Sequence, residues 1–154
     1  MSLLEILRSV LVLSILTSIS PITAHTIEPW APLELVTPAQ LNNQLANIKS
    51  GKIVLIQVGF HVMYQLGHIR GSQYAGPAVK AEGLDSLKKL VTKLPRDQKI
   101  VVYCGCCPWH DCPNIRPAAR ALKEMGFTNL KVLDIPERFG DDWTAKGYPV
   151  AKGD

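Results

Sequence analysis

The sequence has no cysteine before position 104 and none after position 112; Cys104, Cys106, Cys107 and Cys112 share one short stretch. A small domain stapled by disulfides spreads its cysteines to close loops, so that class is excluded and one chemical site is indicated. Excess charge of one sign is also scarce. Seventeen Lys and Arg against thirteen Asp and Glu leave a net +4, dispersed along 154 residues. That is too little to mark a nucleic-acid-binding protein. Internal repeats and low-complexity tracts are absent, and no apolar run is long enough to span a bilayer. What the chain has in quantity is hydrophobic residues, 47%. They suffice for one real core in a chain of single-domain length and argue against disorder.

Residues 1–24 read as a secretory signal. Arg8 precedes an apolar stretch from Val10 to Ile19, and the segment exits through Pro21-Ile22-Thr23-Ala24 with a small residue at the end. Cleavage is expected after Ala24, and an uncleaved N-terminal anchor is the alternative. No cysteine stands at the exit to take a lipid. The expected location is therefore periplasmic or secreted, with no membrane attachment after cleavage, in a compartment that oxidises thiols.

Residues 25–34 form a lead-in with Pro29, Pro32 and no periodic pattern. Residues 35–154 then alternate strand and helix. Thr37-Pro38-Ala39-Gln40 is a capping box with proline at the first helical position, predicting a helix to about Ile48. Ile53–Val58 and Ile100–Tyr103 are continuous apolar runs of strand length, the pattern of strands buried on both faces. Gly67–Ser72 reads as a loop. Leu84, Leu87, Leu90, Val91 and Leu94 have helical spacing, a helix is expected from Pro117 to Met125, and Leu130–Leu133 is a third strand. Alternation of this kind predicts an α/β fold, an open, mostly parallel sheet flanked by helices.

Ligands of such sheets sit beyond the carboxyl ends of the strands. Cys104 follows the strand ending at Tyr103. The loop runs through Gly105, Cys106, Cys107, Trp109, His110 and Cys112 to Arg116 at the next helix start. Backbone N–H groups of such a loop and a helix N-terminus favour an anionic sulfur, so a thiol placed there should ionise readily. Arg116 is positioned in sequence to hold an oxyanion.

Four stretches, in order, resemble the single-domain rhodaneses, a family of sulfurtransferases. They are Ile53–Val58 with Gly67-His68-Ile69-Arg70-Gly71-Ser72, Ile100–Cys104, Ala118–Leu130, and Trp143-Thr144-Ala145-Lys146-Gly147-Tyr148-Pro149-Val150. The resemblance implies a rhodanese-like domain over 35–154. It further implies a nucleophile at Cys104 that accepts sulfane sulfur from a donor such as thiosulfate and passes it, as a persulfide, to a thiol or cyanide. The expected partners are thus a small sulfur-containing anion and a thiol or protein acceptor, and no cofactor is required. Two departures stand out. The family's Asp-Val-Arg after the first core strand is Gln57-Val58-Gly59 here. The family's loop from cysteine to arginine is also much shorter, whereas Arg116 stands twelve positions after Cys104.

Three readings of the added cysteines stay open. Cys107 could resolve an adduct on Cys104 across the C-x-x-C spacing, giving a thiol–disulfide oxidoreductase. Cys106 or Cys107 could pair with Cys112 to brace the loop with Cys104 left free, the preferred reading. Alternatively Cys104, Cys106, Cys107, Cys112 and His110 could hold a soft ion such as Cu(I) or Zn(II), making the chain a metal-binding protein. The spacing is not that of a zinc ribbon. Plainer roles are expected elsewhere: His68 fixing its loop by hydrogen bonds, Tyr103 and Trp143 in the core, Trp109 shielding sulfur or packing the loop.

Overall fold

The computed structural model of the chain describes residues 33–154. The expected signal segment and nearly all of the lead-in lie outside the described residues. Five parallel strands form the sheet: β1 (Glu34–Val36), β2 (Ile53–Gln57), β4 (Gln73–Tyr74), β5 (Lys99–Tyr103) and β6 (Leu130–Leu133), in the order β1-β6-β5-β2-β4. A two-residue antiparallel pair, β3 (His68–Ile69) with β7 (Val150–Ala151), closes one end. The helices are α1 (Pro38–Asn42), α2 (Leu45–Lys49), α3 (His61–Leu66), α4 (Ala81–Val91) and α5 (Ile115–Glu124). The predicted α/β architecture is therefore the observed one.

Alternation along the central strands sends side chains to two separate cores. Val54, Ile56, Val58, Ile100 and Val102 pack against Leu87 and Val91 of α4 and Ala118 and Leu122 of α5. Ile53, Leu55, Val101 and Tyr103 face the other way, toward Leu41, Ile48 and Trp143. The unbroken apolar runs of β2 and β5 follow from this, since helices or loops cover both faces of the sheet. Cys104 and Cys112 belong to the α4–α5 core. Tyr103, one residue earlier, points to the opposite face, and its hydroxyl accepts from the Ile69 N–H and bonds the Ser72 hydroxyl, both at 3.0 Å. The Gly67–Ser72 loop is thereby anchored to the end of the strand that carries the first cysteine.

Several local expectations are corrected. The capping box at Thr37 is present, but the helix it opens stops at Asn42 and resumes as α2 from Leu45. At the break Gln44 Nε2 donates to the Gln40 carbonyl at 3.0 Å, an acceptor the helix would otherwise use, and the preceding Asn43 is a poorer helix former. Helix α5 begins at Ile115, ahead of Pro117, which sits in the first turn where its missing N–H costs nothing. Glu34, assigned to the lead-in, opens β1, held to β6 by register and by its 2.7 Å ion pair with Lys131. The Gly67–Ser72 loop contains β3. Its His68 does fix the loop: Nδ1 bonds the Tyr64 carbonyl at 2.9 Å and the ring stacks on Tyr64. Trp143 and Tyr103 are core residues as expected.

Candidate active site

The chain leaves β5 at Tyr103 and turns sharply at Gly105, whose φ of +83° is the left-handed conformation that glycine adopts without a Cβ penalty. Two backbone bonds then hold the cysteine loop to the segment beyond β6: Trp109 N–H to the Ile135 carbonyl at 2.9 Å, and Phe139 N–H to the Gly105 carbonyl at 3.1 Å. A single 3₁₀ turn, Trp109–Asp111, carries the chain round so that Cys112 re-enters the core beside Cys104.

All four sulfurs converge, with every Sγ within 4.8 Å of the others. Cys104 Sγ lies 3.0 Å from Cys106 Sγ, and Cys106 Sγ 3.3 Å from Cys107 Sγ. A disulfide needs about 2.05 Å, so these are non-bonded contacts, and all four thiols are free. The expected bridge from Cys106 or Cys107 to Cys112 is not formed; the loop gathers its sulfurs about a common centre instead of sorting them into pairs.

The electrostatics of the cluster also differ from expectation. A hydrogen bond from Cys106 pulls the Cys104 pKa down, but the bond with Cys112 and burial together outweigh it, and the Cys104 thiol is pushed up. Cys112 moves the opposite way: bonds from Cys104 and Cys106 and from the Asn114 backbone N–H hold it well below the usual thiol range, against burial. Cys104 and Cys112 are thus shifted in opposite directions by the bonds they share.

Two residues not expected as site residues shape the surroundings of Cys104. Asn114 is fully buried at the N-terminus of α5 and does not cap its helix. Its Oδ1 accepts from the Val79 N–H at 2.9 Å while Nδ2 donates to Cys104 Sγ at 3.5 Å. The second is Gly59. A Cβ there would lie 2.8 Å from Cys104 Sγ and 3.0 Å from the Cys104 carbonyl oxygen. Gln57 completes the arrangement: Nε2 donates to the Cys104 carbonyl at 3.0 Å, and Oε1 accepts from the Gly59 N–H at 3.2 Å. The departure at Gln57-Val58-Gly59 is thus a neutral clamp on the cysteine backbone, with a vacated side-chain position beside its sulfur. The family pattern flagged the position, but only the fold shows what fills it.

Cys104 is 3% exposed. It lines a recess of about 10 Å³ with Gln57, Met63, Gly67, Tyr103, Gly105 and Phe139. Four of these residues, Met63, Gly67, Gly105 and Phe139, also line a cavity of about 370 Å³ with Cys106 on its wall and Arg138 and Lys152 as its cations. Arg138 is bonded to Asp141.

The remaining expected site residues fall elsewhere. Arg116 is exposed, donates to the His110 carbonyl at 3.4 Å, and lines a surface depression with Lys88, Arg120 and Glu124 rather than the Cys104 recess. His110 is exposed and directs Nε2 to the Asp111 carboxylate at 3.3 Å, outside the sulfur cluster. A loop of this length carries both side chains out past the buried thiols. Trp109 packs, half-buried, against the core that holds Cys104 and Cys112.

The donor to Cys104 carries a prediction. Asn114→Asp keeps the acceptor for Val79 and replaces the N–H facing sulfur by a carboxylate, which disfavours a thiolate at Cys104. Any activity that depends on that thiolate should have its acid limb displaced upward by about one pH unit, the scale of a lost hydrogen bond to a charged group. A pH–rate profile measures it, and a profile matching the unmodified chain refutes the assignment.

An open parallel sheet with a buried cysteine just past its central strand is the architecture of a sulfurtransferase-type fold, and sequence comparison agrees. The rhodanese-like domain family matches residues 38–135, and the chain belongs to that family. No curated protein matches it. Solved structures share the fold. A Bacillus halodurans protein is 18% identical over 77% of each chain, with a TM-score of 0.58. The rhodanese-like domain of an Anabaena protein is 18% identical over 79% of this chain and 81% of that one, with a TM-score of 0.56. EanB in complex with ergothioneine matches at 22% identity and a TM-score of 0.58; the match covers 79% of this chain and 28% of EanB.

Proposed function

We propose that the protein is an exported sulfurtransferase in which Cys104 takes sulfane sulfur from a small anion of the thiosulfate class and delivers it to a thiol or cyanide. Cys104 reacts as the thiolate, its proton passed to solvent, and its sulfur attacks the outer sulfur of the donor. The donor S–S bond breaks and sulfite leaves with the bonding pair, so Cys104 becomes a persulfide anion. An acceptor thiolate then attacks the terminal sulfur and Cys104 leaves as thiolate, two half-reactions of covalent catalysis.

The observation that carries this reading is the recess. It holds about 10 Å³ with Cys104 on its wall, the room one small group needs. It adjoins the larger cavity, where Arg138 and Lys152 favour an anion at the entrance. The Asn114 carboxamide and the Cys106 backbone N–H donate to the Cys104 sulfur, and such donors stabilise a negative sulfur adduct. Arg116 has no part in the recess.

The test is to treat the reduced chain with thiosulfate and map the modified peptide by mass spectrometry. One added sulfur on the Cys104 peptide, lost on adding cyanide, is expected. An unmodified chain, or sulfur found only on other cysteines, overturns the reading.

A further inference from the structure

We propose that Cys104, Cys106, Cys107 and Cys112 together form a cation site that takes one Zn²⁺ ion, and that the bound ion shuts off sulfur transfer at Cys104. The second half rests on the function proposed above; the site itself does not.

Four thiolates at about 2.3 Å from a tetrahedral zinc stand roughly 3.8 Å from one another. Here four sulfurs all lie within 4.8 Å, with two of the separations at 3.0 and 3.3 Å. The ideal spacing falls inside that range, so an ion seats with sulfur shifts of under about an ångström. Disulfide pairing would draw two sulfurs together and leave the others aside, whereas these four surround one point. All the donors are soft sulfur and none is a carboxylate or carbonyl, which selects a thiophilic ion over Mg²⁺ or Ca²⁺. Four ligands also favour tetrahedral Zn²⁺.

The surroundings match those of metal-bound thiolates. Sulfur ligands are oriented and made better donors by hydrogen bonds from outside the ligand shell. Asn114 supplies two, its side chain to Cys104 and its backbone to Cys112, and the Cys106 N–H supplies another to Cys104. The cluster also lies at the N-terminus of α5, whose partial positive charge offsets the negative charge of a four-thiolate zinc centre. His110, directed at Asp111, is not a ligand.

Binding replaces the remaining thiol protons by the metal and releases them to solvent; no electron is transferred. A zinc ion with four protein ligands keeps no open position. The sulfur of Cys104 is then committed to the ion and is not available to attack a donor.

The full chain, reduced and stripped of metal without oxygen, is titrated with Zn²⁺ against a chromophoric chelator and separately with Co²⁺. One ion per chain and the visible bands of tetrahedral thiolate cobalt are expected. Cys107→Ser and Cys112→Ser, each with an unchanged circular dichroism spectrum, should weaken binding by more than the roughly 10–100-fold that loss of an outer-shell partner costs, while His110→Ala binds as before. No binding above competition, equal binding by the serine variants, or Cu⁺ taken up where Zn²⁺ is refused each overturns the zinc site. Transfer from thiosulfate, measured with and without one equivalent of Zn²⁺, should fall at least about tenfold and return on chelation. Equal rates with the ion bound overturn the shut-off. A metal-free chain with no transfer at all sinks the sulfurtransferase reading and the shut-off with it, while the titration still decides the site.

Discussion

Cys104→Ser is expected to lower sulfur transfer about a thousandfold or more, the scale on which enzymes lose rate when a covalent nucleophile is removed. The hydroxyl is poorly nucleophilic at neutral pH and cannot hold sulfane sulfur, so neither half-reaction has a substitute path. The fold should survive, because oxygen replaces sulfur without adding volume to the core that also holds Val102, Cys112 and Ile115. Thermal unfolding close to that of the unmodified chain, with no thiosulfate-dependent product, is the expected pair of results. Retained turnover would move the nucleophile to Cys106, the cysteine on the cavity wall.

Gly59→Ala is expected to have nearly as large an effect while replacing no ionisable group. The new methyl would stand 2.8 Å from Cys104 Sγ, 3.0 Å from the Cys104 carbonyl oxygen and 3.1 Å from Gln57 Nε2. The only relief is to push the sulfur out of place or break the Gln57 clamp. Overpacking of this kind costs about 1–3 kcal/mol, and it falls on the atom that must align with a donor. A rate loss of tenfold or more is expected, with a melting temperature lowered by about 2–12 °C, the shift that such a cost produces in a domain of this size. An alanine variant with normal rates would show that the space beside the sulfur is not required.

These predictions differ in how far the sequence alone supports them. Cys104 was legible because a buried strand ends at Tyr103 and the sheet type places sites there. The sheet was legible because Ile53–Gln57 and Lys99–Tyr103 are buried on both faces and so have continuous apolar runs. Strands β3, β4 and β7 have two residues each, too few to show any period. Asn114 stood next to Pro113 at a helix start, where asparagine ordinarily caps; its inward role depends on Val79, 35 positions away. Arg116 was expected at the site from its place at the helix start; the long loop instead sets it on the surface beside the His110 carbonyl. The convergence of the four thiols depends on the turn at Gly105 and the 3₁₀ turn before Cys112, which the cysteine spacing alone does not encode.

The two backbone bonds that join the cysteine loop to Ile135 and Phe139 have a mechanical consequence. Phe139 and its neighbour Arg138 belong to the cavity wall, so the loop and the entrance are parts of one linkage. A shift of the Gly105 carbonyl would therefore strain its bond to the Phe139 N–H, which stands on the wall of that cavity.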